Sequence, residues 1–146
     1  MAALRPRRGP RARDLLPEGA TYCRRCRSSW ATILGRWCSA CAERVADERV
    51  ARYVRRRDGA CVACGTTRQL TWAHILPRRY RRLRWDPRNA VTLCWPDHDW
   101  LDRHPARKRE WVRERFPGLL ERLEELKDRA PLPDLEEIIR TYGGAG

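Results

Sequence analysis

The amino-acid sequence predicts a small α+β fold that is stabilised by zinc. Three observations support this prediction: most cysteines form close pairs, two short apolar segments flank a basic loop, and the C-terminal part carries helical apolar stripes. The chain has 146 residues, of which 35% are charged, and it contains one Phe and one Met. This composition supplies few long apolar runs, and small domains of this kind gain stability from bound metals or disulfides.

The cysteine spacing favours metal over disulfides. The seven cysteines form three CxxC pairs, which begin at Cys23, Cys38 and Cys61, and leave Cys94 alone. Such pairs are typical of zinc knuckles, whereas the odd count and the lack of a signal peptide with an apolar core argue against a disulfide framework. We therefore expect one structural zinc site made by Cys23, Cys26, Cys38 and Cys41.

The N-terminal part is predicted to hold two segments. Residues 1–20 contain five arginines among Pro and Gly without periodicity, which indicates a flexible basic arm. Residues 21–60 hold the first cysteine cluster, followed by a helix over 43–57 in which apolar residues recur at helical spacing. Asp58-Gly59 is expected to end that helix.

Residues 61–105 are predicted to form a hairpin followed by a short helix. The segments 69–76 and 90–94 resemble short strands, and the loop between them is rich in arginine. The short helix begins near Pro96-Asp97 and stops before Pro105. Residues 106–146 are predicted to be helical, with one helix over 106–116, a second marked by Leu119 and Leu123, and a third capped by Asp134 with Glu137. Their apolar stripes favour packing inside the domain over a dimer or partner face.

The net charge is +13, which comes almost entirely from arginine. A large positive excess attracts a polyanion such as DNA, although an arginine-rich soluble surface from a GC-rich genome has the same composition. Asn89 and Gln69 are the only amide side chains, and this depletion is a weak sign of a thermophilic source. No segment approaches the roughly 20 apolar residues of a membrane span, so we expect a cytoplasmic protein without a membrane partner.

One ordered set of motifs lies between Cys61 and Pro105. It runs CxxCG from Cys61, then LTWAHI ending at Ile75, NAVTLC from Asn89, and DHDWLD from Asp97. This order resembles the HNH endonuclease family, whose fold is called ββα-metal. It is most similar to the phage and bacterial members with a CxxC … LCxxxH zinc motif. The resemblance covers about a third of the chain, and its specificity lies in the ordered set rather than in any single element.

The resemblance implies a role for each matched residue. His74 would be the general base, Asn89 would brace the loop and hold the histidine, and His98 would bind the catalytic divalent metal. A neutral imidazole and a divalent cation such as Mg²⁺ or Mn²⁺ suit phosphodiester hydrolysis. Further ligands for this metal are Asp102, one helical turn after His98, and His104. The expected phosphate or DNA contacts are Arg78, Arg79, Arg81, Arg82 and Arg84. The expected second structural zinc site is Cys61, Cys64, Cys94 and Asp97.

Two positions depart from the family pattern. Ala73 stands where many members have a metal ligand, and Asp97 stands where they have the fourth zinc cysteine. A carboxylate can bind zinc, but a lost second zinc is the other interpretation. The expected function is a metal-dependent DNA endonuclease or nickase. The alternatives are a non-catalytic zinc-dependent nucleic-acid-binding protein on the same scaffold, or an RNA-binding zinc-ribbon protein. The resemblance also implies a phage packaging terminase or a restriction or homing-like system as partner, and a homodimer is a further option.

Overall fold

The computed structural model describes residues 18–144 and confirms the α+β class. Within this range it has five α-helices and one two-stranded antiparallel sheet. The elements are α1 (Ser39–Asp58), β1 (Leu70–His74), β2 (Ala90–Cys94), α2 (Trp95–Arg103), α3 (Pro105–Arg115), α4 (Leu119–Leu126) and α5 (Leu135–Tyr142). None of these helices combines the length and the apolar character that crossing a membrane requires. The basic arm predicted for residues 1–20 lies outside the described residues, apart from its last three positions.

The chain divides into two compact units, and the boundary falls inside α1, between Val45 and Ala46. In the first unit, the knuckle closes through two short antiparallel bridges, Tyr22 with Trp30 and Ile33 with Trp37. Helix α1 begins four residues before the predicted start because the second cysteine pair leads directly into its first turn. The four-part division of the chain made from the sequence stays a prediction.

The second unit is built around the predicted hairpin. Strand β1 pairs with β2 from Leu70 opposite Cys94 to His74 opposite Ala90. All five residues of β2 are buried, which agrees with its continuous apolar sequence. The loop between the strands contains two 3-10 turns, Arg81–Leu83 and Pro87–Asn89. Asp86 accepts a hydrogen bond from the backbone N–H of Arg88 and so caps the second turn.

The core of the second unit joins the hairpin to helices α2, α3 and α4. Leu93, Leu101, Val112 and Leu123 are each at most 5% exposed and belong to one cluster of buried residues. The predicted stripe on α4 is therefore packing surface, because Leu120 and Leu123 lie inside this cluster. The apolar faces of the hairpin and of these three helices thus form one core for the second unit.

Helix α5 packs against α1 in the same unit. The Arg49 guanidinium donates to the carbonyl oxygen of Ile139 at 2.7 Å, and the Tyr53 and Tyr142 rings meet edge to face with centroids 5.0 Å apart. The predicted cap is present: an Asp134 carboxylate oxygen accepts from the backbone N–H groups of Glu136 and Glu137. Ile139 is 1% exposed, so α5 also buries its apolar side.

Candidate active site and zinc centres

A cavity of about 720 Å³ lies where β1, α2 and α3 meet. Its walls bring together His74, His98 and Asp102, which the sequence analysis placed in one site, and they include Arg78 and Arg79 from the loop. Cavities with convergent polar groups are the usual location of binding and catalytic sites. The geometry of each wall residue therefore decides what this site can do.

His74 ends β1 and is 8% exposed. Its Nε2 lies 2.9 Å from the backbone carbonyl oxygen of Arg84. Since a carbonyl only accepts, Nε2 carries the proton and the lone pair of the neutral ring is on Nδ1. Burial, assisted by the charges of Arg78 and Arg84, lowers the pKa of His74 from 6.5 to about 4. The ring is therefore neutral at pH 7 and offers Nδ1 as a proton acceptor.

Asn89 is fully buried and holds the loop that follows His74. Its side-chain oxygen accepts from the backbone N–H of Leu76 at 2.8 Å, and its amide nitrogen donates to the carbonyl oxygens of Leu76 and Leu83 at 3.0 and 3.3 Å. Its own carbonyl oxygen accepts from the N–H of Ile75. These bonds join the residues directly after His74 to the turn before β2.

His98 lies on α2 between a hydroxyl group and a carboxylate. Its Nδ1 is 2.7 Å from Oγ1 of Thr71, and that hydroxyl donates its proton to the carbonyl oxygen of Leu93. The hydroxyl therefore accepts from Nδ1, and the lone pair of neutral His98 is on Nε2, 3.2 Å from Oδ2 of Asp102. Ligating histidines are commonly oriented by a hydrogen bond at the other ring nitrogen.

The His98 and Asp102 pair fits a divalent cation. Neighbouring ligands of an octahedral ion at roughly 2.1 Å lie about 3 Å apart, close to the spacing of Nε2 and Oδ2. One nitrogen and one carboxylate oxygen on an open cavity wall leave room for water and phosphate oxygens, as Mg²⁺ and Mn²⁺ prefer. The sequence prediction that these two side chains share a helix face is thus met by their geometry.

Lys108 on α3 contacts the same carboxylate. Its ammonium group donates to Oδ1 of Asp102 at 2.7 Å and to the backbone carbonyl oxygen of His74 at 2.8 Å. The Lys108 side chain is 18% exposed, whereas that of Asp102 is 50% exposed. A largely buried ammonium therefore links the end of β1 to a carboxylate at the cavity mouth.

Asp47 on α1 holds the loop from the other side. Its two carboxylate oxygens accept from Arg78, from Arg84 and from the indole N–H of Trp85, at distances of 2.7 to 3.1 Å. Because the Arg84 carbonyl oxygen contacts His74, this carboxylate fixes the segment that sets the His74 tautomer. Asp47 thus connects helix α1 to the candidate base.

The five loop arginines have different environments. Arg84 is bound to Asp47, and Arg82 donates to the carbonyl oxygen of Ala130, so both guanidinium groups have partners inside the protein. Arg79 and Arg81 are exposed, with their guanidinium groups over the rings of Tyr80 and Trp85. Arg78 keeps a side chain that is 53% exposed although it contacts Asp47. Contact of these arginines with DNA remains a prediction. Of the five, Arg78 and Arg79 line the cavity that holds His74 and His98.

Two further sequence predictions concern His104 and Ala73. Nδ1 of His104 lies 2.7 Å from the carbonyl oxygen of Trp100, and its ring stacks on that indole with centroids 4.3 Å apart. Of the described residues that line the cavity, none is His104. Ala73 is 1% exposed in the apolar core, so its side chain does not face the cavity wall.

The first cysteine cluster has the dimensions of a zinc site. The donor atoms of Cys23, Cys26, Cys38 and Cys41 lie within 4.8 Å of one another. The Sγ atoms of Cys26 and Cys38 are 3.8 Å apart, and a tetrahedral zinc with Zn–S bonds of roughly 2.3 Å separates its sulfurs by about 3.8 Å. All four thiols are free, so this donor set is available to a metal.

The second cluster brings Asp97 into place beside three cysteines. Its Oδ2 lies 3.3 Å from Sγ of Cys61 and 3.1 Å from Sγ of Cys94, while Cys64 and Cys94 are separated by 3.7 Å. As in the first cluster, the four donor atoms lie within 4.8 Å of one another. A Cys3Asp zinc site is therefore compatible with the geometry, and Asp97 occupies the position of a fourth ligand.

Thr71, Lys108 and Asp47 were missed by the sequence analysis. Lys108 and Asp47 lie on helices outside the matched motifs, and nothing in the sequence distinguishes Asp47 from the other acidic residues. Thr71 did carry a usable signal, since it stands three positions before His74 on the predicted strand. Its contact with His98 nevertheless depends on how α2 packs against the hairpin.

Comparison with known proteins gives one match. The family model described as HNH endonuclease matches residues 61–105, from the first cysteine of the second cluster to the first residue of α3. No curated protein and no solved structure matches the chain at a comparable level. The matched segment contains the hairpin, the second cysteine cluster, His74, Asn89 and His98. Residues 61–105 therefore match the HNH endonuclease family, and they contain a cysteine cluster suited to structural zinc.

Proposed function

We propose that the protein is a metal-dependent DNA endonuclease or nickase that hydrolyses phosphodiester bonds. One observation carries the proposal: the His74 ring, with its lone pair on Nδ1, and the His98 and Asp102 pair line one cavity. A proton acceptor and a cation site on shared walls are the two groups that phosphodiester hydrolysis requires.

His74 acts as the general base. Nδ1 takes a proton from water as the water oxygen bonds to phosphorus, and the bond from phosphorus to the leaving oxygen breaks. The leaving oxygen then takes a proton from solvent and His74 returns its proton to solvent, so each turnover consumes one water and regenerates the base. A base with a pKa of about 4 is weak, but substrate binding strengthens it. The Arg78 charge is one cause of the lowered pKa, and a phosphate that pairs with Arg78 offsets this effect.

His98 and Asp102 hold the divalent cation. When bound, such a cation supplies positive charge for the phosphate oxygens. Thr71 keeps the lone pair of His98 on Nε2, and Arg78 and Arg79 provide guanidinium groups for the phosphate at the cavity wall. His104 has no part in this site because it is held by Trp100.

The net charge of +13 supports DNA as the substrate, since a polyanion is drawn to such a surface. The resemblance to phage and bacterial HNH proteins supports a role beside a packaging terminase or in a restriction or homing-like system. A single site cuts one strand at a time, so a double-strand cut requires a second copy of the chain or two successive cleavages.

A plasmid assay tests the proposal. Zinc-loaded wild type is incubated with supercoiled plasmid and Mg²⁺, Mn²⁺ or Ni²⁺, beside His74→Ala and the matched surface variant His104→Ala. We expect nicking by wild type and by His104→Ala, and its loss in His74→Ala. Equal nicking by all three proteins would exclude His74 as the base, and melting curves show whether each variant is folded.

The second candidate is a non-catalytic nucleic-acid-binding protein on the same module. The burial of Ala73 favours it, because that position offers no ligand and the cation rests on two protein groups. Intact binding of duplex DNA without nicking in any metal would support this alternative.

A further inference from the structure

A second groove, of about 470 Å³, lies beside the catalytic cavity in the same compact unit. Helix α1 supplies one wall, including Arg52 and Arg55, and the hairpin region supplies Trp72 and Arg78. Trp72 and Arg78 also line the catalytic cavity. The two depressions therefore adjoin at these two side chains, which border both of them.

The groove carries cationic side chains that can meet an anion. Arg52 is exposed, and Arg78 keeps about half of its side chain exposed. Of the two acidic residues on this wall, Asp47 already accepts from Arg78, Arg84 and Trp85. Its charge is thus compensated within the protein. Glu48 is the other carboxylate, so the groove lining holds three guanidinium groups and two carboxylates.

Trp72 adds an independent observation. Among residues 18–144, its indole N–H is the buried side-chain polar atom without a hydrogen-bond partner. A buried donor of this kind is costly, and its presence calls for a specific explanation. Its ring lies 4.2 Å from the His74 ring and 5.8 Å from the Arg78 guanidinium, at the junction of the groove and the cavity. The indole N–H is therefore an unpaired donor on a side chain that borders both depressions.

We propose that the groove formed by Arg52, Arg55 and Trp72 binds a backbone phosphate of the same DNA strand, beside the phosphate at His74. Arg78, which borders both depressions, binds the phosphate at His74. Guanidinium groups bind phosphate in a bidentate manner, and such contacts position the strand without reading its sequence. The inference rests on the proposed nuclease function and extends it to helix α1, which lies outside the matched HNH segment.

Salt-dependent binding tests this subsite. The dissociation constant of a labelled DNA duplex is measured over a series of salt concentrations, without added divalent metal, by fluorescence anisotropy. The proteins are wild type, Arg52→Gln, Arg55→Gln, the double variant, and Arg56→Gln as a matched control. Arg56 is exposed on the same helix but does not line the groove. Each lost phosphate contact lowers the magnitude of the slope of log K against log salt by about 1. Because Arg52 and Arg55 serve one phosphate, we expect a reduction of about 1 in the double variant.

The Arg56→Gln control distinguishes the loss of a groove contact from a general loss of positive charge as the cause of a reduced slope. A wild-type slope in Arg56→Gln, with reduced slopes in the groove variants, supports the subsite. Equal reductions in all variants, or none in the double variant, would overturn it. The same measurements are made with an RNA duplex of the same sequence. If wild type binds RNA more tightly than DNA, and the groove variants lose that RNA affinity, DNA would be overturned as the ligand.

The indole is tested separately with Trp72→Phe, which keeps an aromatic ring and removes the N–H donor. We expect DNA affinity to fall several-fold, and an unchanged affinity would overturn the part assigned to the indole. Failure of the nuclease proposal gives a different result. A wild type that binds DNA but never nicks plasmid refutes hydrolysis, whereas a nicking wild type with normal salt slopes in the groove variants refutes only the subsite.

Discussion

The ammonium group of Lys108 lies 2.7 Å from Oδ1 of Asp102 and also donates to the backbone carbonyl oxygen of His74. Lys108 belongs to α3, outside the matched HNH segment, yet it contacts both halves of the candidate site. Since Oδ1 is held by Lys108, Oδ2 is left beside Nε2 of His98. Helix α3 therefore positions a carboxylate that would otherwise be a mobile side chain at the cavity mouth.

Replacing Lys108 by Met should weaken binding of the divalent cation. Loss of a partner that orients a metal ligand typically costs 10-fold to 100-fold in metal affinity, so we expect at least a roughly 10-fold increase in the dissociation constant of Mn²⁺. The measurement is Mn²⁺ binding by electron paramagnetic resonance on zinc-loaded protein. Lys127→Met, directly after α4, is the control, and Lys108→Arg should restore part of the affinity. Tighter Mn²⁺ binding in Lys108→Met would instead identify Lys108 as a charge that repels the metal.

His74 should make the folded protein less stable in acid. Its pKa is about 4 in the folded state and 6.5 in the unfolded chain, so the unfolded chain binds more protons between these values. The contribution is complete above pH 6.5 and is lost as pH falls towards 4, with a total of up to about 3 kcal/mol. Urea unfolding of wild type and His74→Gln between pH 4.5 and 7 measures this difference. Zinc loss in acid affects both proteins, so the difference between their free energies of unfolding isolates the effect of His74. If the two free energies depend on pH in the same way, the lowered pKa is refuted.

Asp97 should be required for the second zinc. Asp97→Ala removes the oxygen that lies beside Cys61 and Cys94, and we expect the zinc content to fall from two per chain to one. Asp97→Cys restores a complete donor set and should keep both zinc ions. The measurement is elemental analysis after gel filtration, with Asp99→Ala on the same helix as control. A wild type with one zinc would show that this cluster does not hold metal.

Asp47 should contribute more to stability than an ordinary surface carboxylate. Its side chain is 18% exposed and accepts from three residues of the loop, so Asp47→Ala leaves the Arg84 guanidinium without its counterion. We expect a loss of about 2 to 3 kcal/mol in the free energy of unfolding. Glu110→Ala breaks an exposed pair with Arg107 and should cost below about 1 kcal/mol. Chemical denaturation compares the two variants, and similar losses would contradict the anchoring role of Asp47.

Local patterns in the sequence were sufficient for the elements of the fold. Alternation, helical spacing and capping residues predicted the hairpin, the short helix after it and the C-terminal helices. Each of these elements lies within a few positions of its predicted bounds. The resemblance to the HNH family implied the grouping of Cys61, Cys64, Cys94 and Asp97, and the hairpin brings these donor atoms together.

The loop arginines mark the limit of such reasoning. Five of them were assigned together to DNA because they share one basic run. Their surroundings differ: Arg84 pairs with Asp47, Arg82 with a carbonyl of the chain, and Arg78 stays half exposed. Which partner each guanidinium finds depends on helices distant in sequence, and no local pattern carries that information.

The sequence by itself determined the module: cysteine pairs, a histidine at the end of a strand, an asparagine before the next strand, and a histidine on the following helix. These features depend on neighbours within one hairpin and one helix, so their spacing is enough to place them. Only the tertiary structure decided the chemical state of the site. The His74 tautomer depends on the Arg84 carbonyl, the His98 tautomer on Thr71, and the orientation of Asp102 on Lys108. A proton position is set by the atom that faces it, and that atom is supplied by packing across the fold.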